Sequence, residues 1–461
     1  MNNMDTDLET AIAAWVVGLT LQDIPQNVRS VALDCITDGV GVMIAGTETP
    51  IFAQACALPR HEGPCCLADG SQRTESRHAA LLNGIAAHAL DFDDTSYAGI
   101  VHGTAVVLPA VLAVGQEINA DGRRLIEAFV AGVEVEYALG IALSNTLYER
   151  GFWTTATLGV LGAAAAAAKL LGLDIQTTAQ ALRLAANQPI GLRVTHGSTG
   201  KPYLCGVASR AGIDAALAAQ VGVGGRPGTL ERARGYASAL NDGFIEAGAV
   251  DALGKRYALL DPGIAFKLRP LCSAMQAAVD AVLSLRAISG WTTEQIERVR
   301  CYGTALVVTS LPYCMPSSPA EAQFCMPFSV ACTLLYGDVR LEHLTSATLK
   351  DPALVRLMER VELLEDQSMV SPDQADACPE PVRVEIHLRG GKVLSRSVFA
   401  AVGMPQNPAT PRAMREKFLA CVSRSLLPVP AEELWKRLQS LDQLASVRSL
   451  LSGRTDIEGR G

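Results

Sequence analysis

From Asp7 to about Gln220 the chain is one amphipathic stretch after another, each broken by Gly, Pro, Asn or Asp, a succession that allows little except a pile of packed helices. Pro25 opens one such stretch, which runs to Ala45 with Gly46 placed to cap it. Ala163 to Leu171, bounded by Gly162 and Gly172, is a strong helix former with almost no side-chain bulk, so its neighbours can approach closely. No internal repeat of roughly twenty to fifty residues is visible.

The texture changes after about Phe266. Val299 to Val308 and Val382 to Ala400 carry β-branched residues, and Gly390-Gly391 makes a hairpin turn between two alternating runs. Glu321 to Tyr336 and Thr345 to Leu364 read as helical, and helical periodicity returns from Pro405 to Leu451. The expected fold is therefore mainly α: a large all-helical domain built from both chain ends (1–265 and 402–456) plus a smaller α+β domain (266–401). The tail 457–461, with Ile457-Glu458-Gly459-Arg460, matches a protease-recognition linker and is left out of the fold.

Net charge is −8 over 461 residues, which speaks against nucleic acid as a partner, because that binding needs many cationic contacts to phosphate. No run reaches the roughly eighteen uninterrupted apolar residues of a spanning helix, and Met1 to Thr10 carries acids where a signal peptide needs bases. The expectation is a cytoplasmic protein with no membrane partner. Its 12 cysteines are dispersed without a CxxC pair, as thiols in a reducing compartment are, and structural zinc is not expected. Neither GxGxxG nor a Walker pattern occurs, so no nucleotide cofactor is implied.

The densest polar cluster is Asn83 to Thr95, NGIAAHALDFDDT, followed by His102. If the helix continues through it, His88 and Asp91 share a face, Asp91 and Thr95 share a face, and Asp93 points elsewhere. Three carboxylates in four residues invite a metal, yet Thr95, Ser96 and Tyr97 stand where an Asp-Asp-x-x-Asp row needs a further acid. The reading is a hydrogen-bond cluster at a helix end, with no metal.

This segment resembles the signature of the MmgE/PrpD family. His102 to Pro109, Gly162 to Asp174, Gly200-Lys201-Pro202, Phe266-Lys267 and Pro405 to Phe418 resemble further family segments in the same order. The resemblance implies a helical domain joined to a small α+β domain with the active site at their junction, a homodimer, and no cofactor. It points to Asp91, Thr95, His102, Lys201 and Lys267 as site residues, and to a di- to tetracarboxylate as substrate. Such an acid needs cations, and Arg269, Arg150 and Arg193 are the further candidates to bind it.

The chain departs from the family pattern at four places: Trp153, Leu204 and Gln276 stand where His is usual, and Phe328 where Tyr is common. Dehydration and decarboxylation suffer most from losing proton carriers, whereas epimerisation needs only one group on each face of a stereocentre. The expected activity is accordingly epimerisation of an aminodicarboxylate such as iminodisuccinate, with His102 and Lys267 exchanging the proton and Lys267 depressed in pKa by burial and nearby cations. The alternatives are a 2-methylcitrate-type hydro-lyase and a non-catalytic carboxylate binder. His196 borders the loop before Lys201, and Cys272 near Lys267 is read as an inert buried thiol.

Overall fold

The computed structural model describes residues 7–188, 191–369, 379–425 and 427–451; the linker-like tail lies outside them. The protein is mainly α with a smaller α+β part. Its principal helices in the first half are α1 Leu8–Gly18, α2 Gln26–Gly46, α3 Ser76–His88, α4 Gly103–Glu117, α5 Gly122–Ala142, α6 Thr154–Leu171, α7 Ile175–Ala186 and α8 Gly200–Gln220. Their starts follow the capping logic of the sequence: Asp7, Asp121 and Asp174 each accept a backbone N–H at a helix entrance. Gly172 ends α6 in the left-handed conformation at φ 67°. Gly46, by contrast, does not cap α2 but is its last residue, and its lack of a side chain serves packing: a Cβ there would stand 1.9 Å from the Ala86 carbonyl oxygen of α3.

One core is shared by these helices and by the C-terminal helices, α12 Pro411–Val422 and α13 Ala431–Gln439, through Phe418, Leu434 and Leu438. The alanine-rich α6 packs between α5 and α8. Among the described residues it is the one helix long and apolar enough to cross a membrane by length and composition, and 89% of it is buried inside the protein.

A second core runs from Ala265 to Met404. It holds α9 Ser273–Arg286, α10 Met326–Tyr336, α11 Pro352–Met358 and a four-stranded sheet: β1 Ile296–Gly303, β2 Val361–Glu365, β3 Val382–Leu388 and β4 Val393–Val398. The strand order is β2-β1-β3-β4; β1 and β2 are parallel and the other pairs antiparallel. Val382, Val384, Ile386 and Leu388 alternate inward toward α9. Gly390 and Gly391, at φ 93° and 87°, turn β3 into β4 where the sequence places a hairpin. Val361–Glu365 overturns the helical reading of Thr345 to Leu364: the helices there are short, and Val361 onward pairs in parallel with β1.

The two cores meet where Thr95-Ser96 pairs antiparallel with Ile264-Ala265. At the next residue the Phe266 N–H donates to the Gly403 carbonyl at 2.8 Å, so the chain enters and leaves the second core at one place. Gly403 is required there, with φ 106° and the Phe266 oxygen 1.9 Å from any Cβ it would carry.

Candidate active site

Helix α3 stops at His88, and the chain turns back through Asp91, whose φ of 46° lies in the left-handed region that Asp tolerates. Asp91 to Thr95 is therefore not helical, and the face-sharing expected of a continued helix does not arise. His88 Nε2 is 3.9 Å from Asp91, and Asp93, instead of pointing away, presents Oδ2 to His88 Nδ1 at 2.8 Å and to His102 Nδ1 at 3.3 Å.

Asp91 is buried and clamped between two ammonium groups. Lys201, in the first turn of α8, donates to Oδ2 at 2.5 Å. Lys267, from the segment entering the second core, donates to Oδ1 and, at 3.0 Å, to the Asp91 carbonyl oxygen. Burial opposes ionisation of Asp91, but Lys201 and Lys267 outweigh it and hold the carboxylate well below its ordinary range. Burial alone would depress Lys267; Asp91 and Asp93 reverse the sign and raise its ammonium above the ordinary lysine value. This corrects the expectation of a lysine tuned down to act as base: its nearest neighbours are carboxylates, and its side chain is 1% exposed.

His102 stands at the entrance of α4, and its ring keeps 13% of its surface open. Nδ1 lies 2.7 Å from the Asp94 carbonyl oxygen and 3.3 Å from the Thr95 hydroxyl. A carbonyl only accepts, so Nδ1 carries the proton and Nε2 of the neutral ring carries a lone pair. Burial, then the Lys267 charge, hold His102 well below the usual histidine pKa. The ring is thus a preset base.

A cavity of about 620 Å³ opens onto His88, Asp91 and Lys201, with Ser198, Phe324 and Arg424 among its other walls. His196, buried with Nε2 unpartnered, stacks on Phe324 with ring centroids 5.1 Å apart. Burial and then Lys201 depress its pKa well below the ordinary value, so it is a second neutral imidazole beside the cluster. Behind Lys267, Glu380 accepts from Tyr97 at 2.7 Å and Ser273 at 3.1 Å, and burial raises its pKa. No sequence pattern marked Glu380 or Arg424. A separate hollow of about 470 Å³ lies beyond Tyr97 to Ile100 and does not touch Asp91.

Three expected substrate-binding arginines are committed elsewhere. Arg269 is buried between Asp280 (2.7 Å) and Asp338 (3.0 Å) inside the second core. Arg150 pairs with Asp242 and donates to the Leu240 carbonyl. Arg193 lies over the Tyr148 ring at 3.8 Å and donates to the Tyr148 carbonyl. Trp153 packs against His88 with ring centroids 5.1 Å apart, and Gln276 staples the turn after Lys267 by donating to the Arg269 and Leu271 carbonyls. Burial pushes the Cys272 thiol up to about 12, as an inert thiol requires.

His88, Asp93 and His102 offer ligand atoms within 4.8 Å of one another, a spacing that suits a metal ion. Nδ1 of each ring is already engaged, His88 donating to Asp93 and His102 to the Asp94 carbonyl. A cation held through those two atoms would have to displace both protons.

A lysine-clamped aspartate beside a neutral histidine thus stands close to where the helical body meets the smaller sheet-containing lobe. Models of the MmgE/PrpD N-terminal and C-terminal domains match residues 10–245 and 270–443, and the protein belongs to the MmgE/PrpD family. Its relatives include mouse cis-aconitate decarboxylase, 25% identical over 96% of this chain and 93% of the relative. The human cis-aconitate decarboxylase is 24% identical over 96% and 94%, and that of Aspergillus terreus 24% over 98% and 96%.

Proposed function

We propose that the protein is a cofactor-independent lyase that eliminates water from a hydroxylated di- or tricarboxylate through a carbanion beside a carboxylate. The observation that carries this reading is the pairing of a neutral imidazole, His102, whose side chain is 13% exposed, with an aspartate held between two fixed ammonium charges. His102 Nε2 removes the proton α to a carboxylate; the charge that develops on the carboxylate faces Lys201, the ammonium in the cavity wall. The β-hydroxide departs as water with the proton that His102 has taken up, the imidazole returns to its neutral form, and a carbon–carbon double bond remains. Lys267, shut off from solvent, acts through Asp91 as a positioning residue.

The epimerase reading preferred from sequence needs a second group that gives and takes a proton on the opposite face. Lys267 suits that poorly, because Asp91 and Asp93 oppose its neutral form. The names of the relatives favour a lyase and support a second reading within that class, loss of carbon dioxide from an unsaturated tricarboxylate.

The test is incubation with 2-methylcitrate, cis-aconitate and the separate stereoisomers of iminodisuccinate in deuterated water, following alkene absorbance, carbon dioxide release and isomer ratio. Alkene formation that disappears in His102→Ala supports the proposal. Carbon dioxide release without dehydration replaces it by the second reading. Isomer interconversion with deuterium uptake alone, or binding of these acids without turnover, overturns both.

A further inference from the structure

We infer that Arg424 reads a second carboxylate of the substrate and sets the preference for polycarboxylates over monocarboxylates; the inference rests on the carboxylate site proposed above and adds a specificity residue to it. Four side chains with formal charge line the cavity: Asp91, Lys201, Glu48 and Arg424. Asp91 and Lys201 are buried and satisfy one another, with Lys267 behind them. Whatever positive charge Lys201 extends to a substrate is shared with Asp91. A substrate with a further carboxylate needs a further cation, and burying that carboxylate without one is costly.

Arg424 supplies it. The residue stands two positions past the end of α12 and is exposed, at the outer part of a cavity whose inner part holds the buried cluster. Among the described residues its guanidinium has no hydrogen bond or ion pair. The same side chain borders an adjoining hollow of about 420 Å³, so it has room to swing toward a ligand. Ile51, Leu90, Leu341 and Leu344 give the cavity apolar lining, which suits a carbon skeleton with charge at both ends. A guanidinium presents a planar fork matched to a carboxylate, and an uncommitted one needs no existing pair to break. Glu48, the other exposed charge in the lining, acts with the opposite sign.

The experiment is calorimetric binding of tricarballylate, glutarate and butyrate to the full-length wild-type protein, Arg424→Gln, Arg424→Lys and Glu48→Gln. The expected result is a loss of roughly tenfold in affinity for tricarballylate and glutarate in R424Q, with butyrate unchanged. R424K recovers part of the loss, and E48Q binds the polycarboxylates more tightly than wild type. Unchanged tricarballylate affinity in R424Q, or an equal loss for butyrate, overturns the role of Arg424 and leaves the carboxylate site standing. A wild-type protein that binds none of the three acids overturns the site itself, and this inference with it.

Discussion

Asp91 is a carboxylate that solvent hardly reaches, and its ionisation is tolerable only because Lys201 and Lys267 each bring an ammonium to one of its oxygens. That arrangement sets the protonation of its neighbours. Burial, and after it the Lys267 charge, oppose a proton on His102, so the imidazole stays neutral as pH falls past the ordinary histidine value. Since the imidazolium has no lone pair to give, activity is lost only when His102 takes up a proton, and its depressed pKa moves that loss downward. The acid limb of kcat/KM should therefore lie below pH 6.5, the ordinary histidine value. A pH–rate profile with that limb at or above 6.5 would remove His102 as the base. In the sequence, Asp91, Thr95 and His102 sit within one short segment and could be singled out together. Lys201 and Lys267 lie 110 and 176 positions from Asp91, and resemblance rather than any pattern of spacing pointed to them. Arg269, Arg150 and Arg193 show why: closeness to a motif along the chain does not tell which carboxylate or ring a cation will meet. Arg424 was invisible for the converse reason, since an uncommitted arginine after a helix has no local signature.

At the scale of elements, the site depends on how closely α3 and α8 approach, because Asp91 follows the end of one and Lys201 lies in the first turn of the other. The approach is made by glycine. A Cβ on Gly84 of α3 would stand 2.7 Å from Gly206 Cα, and one on Gly206 would stand 2.1 Å from the Leu81 carbonyl oxygen. Both obstacles are backbone and cannot rotate away. Gly206→Ala should force the helices apart, at a cost of about 1–3 kcal/mol in a urea unfolding experiment, and should lower kcat more than it raises KM. Full activity with unchanged stability would show that the crossing is looser than described. The run opened by Pro25 made α2 legible as an element, the alanine run did so for the second half of α6, and alternation did the same for β3 and β4 with their Gly-Gly turn. The stopping points were not legible to the same degree. Nothing between His88 and Asp91 breaks a helix as Pro does, so the left-handed turn at Asp91, which faces Asp93 toward the two histidines, emerges only from the packed structure. Val361–Glu365 was misread because five residues carry too little periodicity to separate a short strand from the end of a helix; the pairing with β1 decides it.

For the whole molecule, the decisive event is closure of the chain on itself. Phe418 of α12 packs against Gly41 of α2, where a Cβ would stand 2.8 Å from its ring. Beside it Lys417 buries its ammonium 2.7 Å from Asp38 of α2 and 2.8 Å from the carbonyl oxygen of Phe92. One side chain of the C-terminal return thus joins an N-terminal helix to the loop that carries Asp91. Burial raises the pKa of Asp38, opposed chiefly by Lys417. Removing the lysine alone leaves an unpaired buried carboxylate, which costs about 3–5 kcal/mol, whereas removing both charges leaves no charge to desolvate. Lys417→Met should accordingly lose that much stability, and Asp38→Asn placed on top of it should restore a substantial part rather than add a further loss. The effect on turnover should differ: the Phe92 carbonyl loses its donor in both variants, so kcat should remain depressed in the double variant after stability has recovered. Strict additivity of the two substitutions in urea unfolding would show that the ion pair does not couple the chain's ends, and recovery of kcat in step with stability would break the proposed link between α12 and the Asp91 loop.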